Sequence, residues 1–310
     1  MNSTPRLARN LLVLVLSVIH CKATMPDCLS SQEHPASPGA WRASLALRFA
    51  DDGGTTRLVD NRHLGPLRVQ KALYPEGGAV CHAIVVHPPG GVVGGDQLAI
   101  RAEVGAQAHA LLTTPGAAKW YKANGKRSRQ DVRLLVGAAA SLEWLPQETI
   151  FFDHADVALE QHVALAADAS YIGGEILCMG RRASGEAFGA GRISQRSQIR
   201  RGGKLIWWEQ GVLLGGRLDS PLGMRGASVC ATLIAAGKPL PAALLGELRD
   251  DLGALAGAVN VGVSQAKGVL VARHLGDDSE LARHIMLAVW RRLRPHLLER
   301  VAVVPRIWHT

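Results

Sequence analysis

Six acids stand where an acid is costly. Asp96, Glu143, Glu148, Glu175, Glu186 and Glu209 lie inside or beside apolar or glycine-rich runs. A carboxylate in such surroundings must be hydrated, paired with a base or bound to a metal ion. Glu175 lies between Gly173-Gly174 and Ile176-Leu177. Glu209 follows Ile206-Trp207-Trp208, and alternation puts it on the face of Leu205 and Trp207. Hard oxygen ligands with water suit a divalent ion held loosely. The competing reading gives each acid a nearby arginine, as Arg181 or Arg182 would serve Glu186. A third reading makes a hydrolase of carboxylates such as Glu143 or Glu186. No spacing, however, fixes two of the acids on one face.

The other reactive residue types argue mainly by exclusion. His87-Pro88-Pro89-Gly90-Gly91-Val92-Val93-Gly94-Gly95-Asp96 carries the G-x-x-x-x-G spacing of a phosphate loop between Gly90 and Gly95. Such a loop needs Lys and then Ser or Thr next, and this chain has Asp96 and Gln97, where an acid would repel phosphate. The run therefore reads as a tight crossing between two strands, either a structural turn or one that places Asp96 on an internal surface. No G-x-S-x-G nucleophile motif is present. Cys81 and His82 are adjacent, so on a strand they point to opposite faces and cannot share a metal. His154, next to Asp153 and close to Asp156, reads as part of a solvated turn. The five cysteines include no C-x-x-C, which argues against a disulfide scaffold or structural zinc site and fits a reducing compartment.

Strands must position most of these residues. Leu45, Leu47 and Phe49 share one face, and Asp51-Asp52-Gly53-Gly54 turns the chain. Short apolar or alternating runs recur at 80–86, 97–104, 108–113, 132–136, 141–145, 157–165, 170–179, 192–200, 204–214, 227–234 and 268–273. Turn residues separate most of them, which is the all-β signature. Arg201-Gly202-Gly203 makes a hairpin tip. Two late segments are helical. Residues 241–256 carry the stripe Leu244, Leu245, Leu248, Leu252 and Leu255. Residues 277–298 are capped by Asp277 or Asp278, bury Leu281, Ile285 and Leu293, and should end or kink at Pro295. The whole is one compact, mainly β domain with two late helices.

The net charge of +9 is spread in short clusters with no nucleic-acid-reading motif, which favours acidic protein partners over nucleic acid. Residues 1–40 stand apart from this domain. Arg6 and Arg9 precede the apolar run Leu11–Ile19, which has the shape of a signal peptide and is too short to span a bilayer. The following His20-Cys21-Lys22 is poor for cleavage, and Met25 is an alternative start.

Several ordered motifs resemble the urease accessory protein UreD (UreH) family. They include Gly65-Pro66-Leu67-Arg68-Val69-Gln70, Tyr74-Pro75-Glu76-Gly77, Cys81-His82 with the run His87–Asp96, and Thr114-Pro115-Gly116-Ala117-Ala118-Lys119-Trp120-Tyr121. Leu142-Glu143-Trp144-Leu145-Pro146-Gln147-Glu148, Glu175-Ile176-Leu177-Cys178-Met179-Gly180-Arg181, Leu293-Arg294-Pro295 and the ending Pro305-Arg306-Ile307-Trp308-His309-Thr310 continue the match. The resemblance spans residues 41–310 and leaves 1–40 as an extension or a mis-assigned start. It implies a helical stacking of β-strands with a few helices. It also implies a cytoplasmic scaffold chaperone that is not an enzyme, binds neither nucleic acid nor membrane, and serves GTP-dependent nickel insertion into urease. The implied partners are UreF, the GTPase UreG and apo-urease, with UreE acting indirectly. No cofactor is tightly bound, and Ni²⁺ is in transit through an internal tunnel. By motif position the resemblance gives Asp96, Glu175 and Glu209 as acids lining that tunnel.

Overall fold

Alternation turns the chain into strands from the start of the domain. In β1 (Arg42–Asp52), Ala43, Leu45, Leu47 and Phe49 are buried, while the residues between them keep some exposure. The computed structural model describes residues 40–255 and 260–309, so the expected leader lies outside the described residues except for its last member. After β1 come β2 (Thr55–Leu64), β3 (Arg68–Leu73), β4 (Cys81–Val86), β5 (Gln97–Val104), β6 (His109–Thr113) and β7 (Ala118–Trp120). Next are β8 (Ser128–Val136), β9 (Ser141–Leu145), β10 (Thr149–Phe151), β11 (Asp156–Leu165) and β12 (Ser170–Met179). The chain ends with β13 (Arg192–Arg201), β14 (Lys204–Leu214), β15 (Val229–Ala236), α1 (Ala242–Leu255), β16 (Val261–Ala266), β17 (Val269–Gly276) and α2 (Ser279–Leu298).

These strands form two sheets. The first has the order β14-β13-β11-β8-β5-β1-β2, and the second β16-β17-β15-β12-β9-β6-β4-β3, with β7 and β10 attached beside β12. From β4 to β13 the chain circles between them. Strands β5, β8, β11 and β13 pair in parallel in the first sheet, as β4, β6, β9 and β12 do in the second. Parallel neighbours need a crossover, and the opposite sheet supplies it in place of a helix. The short ladder Val92–Trp120, β7–β10 and β10–β12 adds a third side to each coil. Each circuit takes about thirty residues, as in other solenoids. This is the stacked-coil, mainly β architecture with two helices near the C-terminus that the resemblance implied.

The second sheet is covered on both faces, so its strands lose their alternation. All of β6 is buried, with Ala110 and Leu112 packing between the sheets and Leu111 packing outward against the helices. The outer core joins Leu111, Ile172 and Leu233 to Ile285, Val289, Trp290 and Leu293 of α2 and to Leu248 and Leu252 of α1. Each such side chain, fully buried, contributes about 1.5–3 kcal/mol. Asp278 caps α2 by accepting from the N–H groups of Glu280 and Leu281, at 2.8 and 3.1 Å.

Some expectations need correction. Helix α2 closes at Leu298, as the expected segment does, so Pro295 does not end it. A proline removes one donor, and the buried side chains of Arg294 and Leu298 hold the last turn in place. Strands β7 and β10 are too short for alternation to show in the sequence. The Arg201–Lys204 hairpin does turn on Gly202 and Gly203, both at positive φ. Gly94 has a different task, since a Cβ there would stand 1.9 Å from the Ala123 carbonyl oxygen. That contact forces the His87–Asp96 crossing to carry glycine at this point.

Candidate functional site

The ladder of the second sheet opens at one point along β12. On one side, β12 pairs with β9 as far as Gly173 and with β10 from Leu177 onward. Gly174, Glu175 and Ile176 therefore have no strand partner on that side. The chain opposite is Pro146-Gln147-Glu148, between β9 and β10, and Pro146 has no N–H to offer a ladder. Two cavities meet at this opening. One of about 60 Å³ lies between the sheets and is lined by Gln161, Glu175, Gln195, Ser197, Glu209 and Thr232 among others. The other, of about 230 Å³, lies under α2 and the C-terminal segment, against Glu280, His284, Trp290, Trp308 and His309. Pro146, Gly174 and Glu175 line both. Even the smaller has room for a few water molecules.

Two facing rows of polar residues build the inner cavity. Strand pairing places Gln161 opposite Ser197 and Ser197 opposite Glu209 in the first sheet. In the second sheet, Glu175 is opposite Thr232 and Thr232 opposite Arg273. Side chains stitch the rows together. Gln195 Nε2 donates to both Glu175 oxygens at 2.6 and 2.7 Å. Arg273 Nη2 lies 2.6 Å from Glu209 Oε1, and its Nε donates to Thr232 Oγ1 at 3.1 Å. Ser197 Oγ bonds Gln161 Oε1 at 3.3 Å, and Gln161 Nε2 donates to the Tyr171 hydroxyl at 3.2 Å.

Glu175 differs from the other interior acids. Among the described residues it has no ion pair, and its nearest donor is a neutral amide. It lies deep in the protein yet keeps accessible surface, because it faces cavities. Burial and the neighbouring Glu209 charge push its carboxyl up to about 7, against the smaller pull of Gln195 and Arg273. The group thus titrates near neutrality, and a cation arriving beside it would displace a proton or a shared hydrogen bond.

The remaining candidates have partners. Glu143 is fully buried between His109, Trp290 and Arg294. Glu148 pairs with Arg283. Glu186 meets Arg181 at 2.6 Å, as the structural reading expected. Glu143 lines neither of these two cavities, and Glu186 lies nearer the surface. Asp96 stands apart from Glu175 and Glu209. Its oxygens accept the backbone N–H groups of Trp41 and Val93, at 3.1 and 3.0 Å, and tie the crossing to the start of the domain. His82 bonds Glu76 at 2.6 Å in the interior, and Cys81, Cys178 and Cys230 are free thiols. Among the described residues no group of His, Cys, Asp or Glu is arranged to hold a metal tightly. No helix among them is long and apolar enough to cross a membrane.

Sequence reading overlooked Arg273 and the neutral residues of the inner cavity. Gln161, Gln195 and Ser197 occupy inward positions of β11 and β13, where the alternation calls for apolar side chains. That substitution pattern was the available signal.

Fold and site together define a stacked-coil β scaffold with a polar interior cavity and a two-helix cover. Residues 42–309 match the family model described as UreD urease accessory protein, and the chain belongs to that family. It is 63% identical over 271 residues to the urease accessory protein UreD of Janthinobacterium sp. (strain Marseille), covering 87% of this chain and 92% of that protein. It is 52% identical over 278 residues to UreD of Nitrosospira multiformis, covering 89% of this chain and all of that protein. The UreD of Dechloromonas aromatica is 51% identical over 286 residues, covering 91% of this chain and 98% of that protein.

Proposed function

We propose that this chain is a non-enzymatic scaffold chaperone for GTP-dependent nickel insertion into urease. In this reading it works in the cytoplasm, binds apo-urease together with UreF and the GTPase UreG, and receives Ni²⁺ that UreE has brought to UreG. Nickel is cargo in transit, and the chain keeps no resident cofactor. The ion crosses the second sheet at its opening and moves between the acids of the inner cavity.

Glu175 carries this reading. A carboxylate that lines two adjoining cavities, without a fixed positive partner, suits a cation that must arrive and leave. Glutamate oxygens with amide and hydroxyl neighbours bind Ni²⁺ more weakly than imidazole or thiolate, so they pass it on. Glu209 supplies a second acid on the facing sheet. Asp96 was expected in the same role; its oxygens accept backbone N–H groups, and it lines neither of these cavities. The proposal therefore rests on Glu175 and Glu209.

The test is co-expression with the urease subunits and the other accessory proteins, followed by nickel counting on purified urease. Omitting this chain should leave urease assembled and nickel-poor. Glu175→Gln should lower nickel per active site several-fold while pull-downs still recover the partners. Full nickel in urease matured with Glu175→Gln would overturn the passage. Loss of the pull-downs together with nickel would make the acid structural.

A further inference from the structure

Glu209 faces the same cavity as Glu175 but is held differently, and the residue that holds it is Arg273. Arg273 comes from β17, two strands beyond β12, and reaches across to the opposite sheet. Its guanidinium spans two residues of the cavity wall, Glu209 and Thr232. The pair is sheltered, with side chains 18% and 13% exposed, so water screens it poorly. An arginine keeps its charge at every working pH and has no lone pair for a metal. It cannot be a ligand. It is instead a tethered cation already sitting on one of the two acids that an ion in this cavity would use.

We propose that Arg273 gates this space: its guanidinium occupies the Glu209 oxygen that an incoming divalent cation needs, so the ion enters between Glu175 and Glu209 only when Arg273 withdraws. The inference rests on the passage reading and adds a positioning residue to it. It accounts for a feature that the acids alone leave open. Two facing carboxylates in a sheltered cavity would bind any divalent ion present. With Arg273 on Glu209, the free chain presents one uncompensated acid instead of two. Withdrawal breaks the ion pair to Glu209 and the hydrogen bond to the neutral Thr232 hydroxyl.

The purified full-length chain and Ni²⁺ alone suffice to test this by calorimetry or equilibrium dialysis at neutral pH. Arg273→Gln, which frees Glu209, should bind Ni²⁺ at least tenfold more tightly than the parent. Arg273→Lys keeps the charge but cannot span Glu209 and Thr232 together, and it should tighten binding a few-fold. Arg273→Gln combined with Glu209→Gln should return to the parent affinity, because it removes both members of the ion pair and leaves Glu175 as it is in the parent. A purely structural arginine would not tighten metal binding when removed. If Arg273→Gln does not fold, the lysine variant decides alone, and an affinity equal to the parent's overturns the gate. The gate and the passage fail separately. Unchanged Ni²⁺ affinity in the Arg273 variants, with nickel delivery still lost in Glu175→Gln, removes only the gate. Full urease nickel with Glu175→Gln removes the passage.

Discussion

Glu143 and Glu175 belong to adjacent strands of one sheet and face opposite ways. Glu143 pairs in register with Ile172, which packs outward against the helices, whereas Glu175 lies in line with Tyr171 and Leu177, which pack inward. On the outer side, Glu143 accepts from the Trp290 indole at 2.6 Å, from Arg294 Nε at 3.1 Å and from His109 at 2.8 Å. Arg294 continues to Glu76 at 2.7 and 2.8 Å, and Glu76 to His82 at 2.6 Å. Burial pushes the Glu143 carboxyl up, but His109, Arg294 and Trp290 outweigh it and hold the carboxyl below the usual range. Glu76 behaves alike. Burial opposes ionisation, and His82 and Arg294 still bring it down to about 2. On the inner side, Glu175 has only an amide, and its carboxyl moves the other way. Burial of an acid is therefore no mark of function. What separates Glu143 from Glu175 is whether the charge is already answered.

The sharpest way to break the comparison is to remove the answer. Arg294→Leu removes the arginine that Glu143 and Glu76 share and leaves each buried with a histidine as its charge partner, a loss of about 3–5 kcal/mol. Urea denaturation should show most of that loss, together with release of α2 from the sheet. A cost below about 1 kcal/mol would mean that the outer cluster does not hold the helix.

The inner region should respond with the opposite sign. The folded pKa of Glu175, about 7, lies above the ordinary 4.5, so the native chain binds this proton more tightly than the unfolded chain. Stability from this group therefore falls as pH rises between those values and stays lower above 7. Glu175→Gln removes the penalty. It should match the parent near pH 4.5 and be more stable at pH 8, by on the order of 2 kcal/mol after allowance for the partial exposure of Glu175. Paired denaturation curves at the two pH values check this. A variant less stable at pH 8 would place Glu175 in the same class as Glu143.

A surface pair gives the lower bound. Arg292 of α2 meets Asp251 of α1 at 2.6 Å with both side chains nearly half exposed. Asp251→Asn should cost less than about 1 kcal/mol and lose that small effect in high salt. A larger loss would show that the two helices dock through charge more than through Leu248, Leu252, Val289 and Leu293.

Much of the architecture was legible in the sequence. Alternation in β1 and β5, the glycine pair of the β13–β14 hairpin and the Asp278 cap are local, and local chemistry encodes them. The ordered motifs placed the chain in its family. The unusual settings of Glu143, Glu175 and Glu209 were also visible, because an acid within an apolar run is visible wherever it falls. Their fates were not. Glu143 meets Arg294 across 151 positions, Glu148 meets Arg283 across 135 and Glu209 meets Arg273 across 64. Such partners are chosen by strand register and helix docking, which belong to the whole coil stack and leave no local pattern. The opening in the ladder at Glu175 has the same origin. It arises because β9 and β10 pair with different halves of β12, and only the folded chain brings those three strands together.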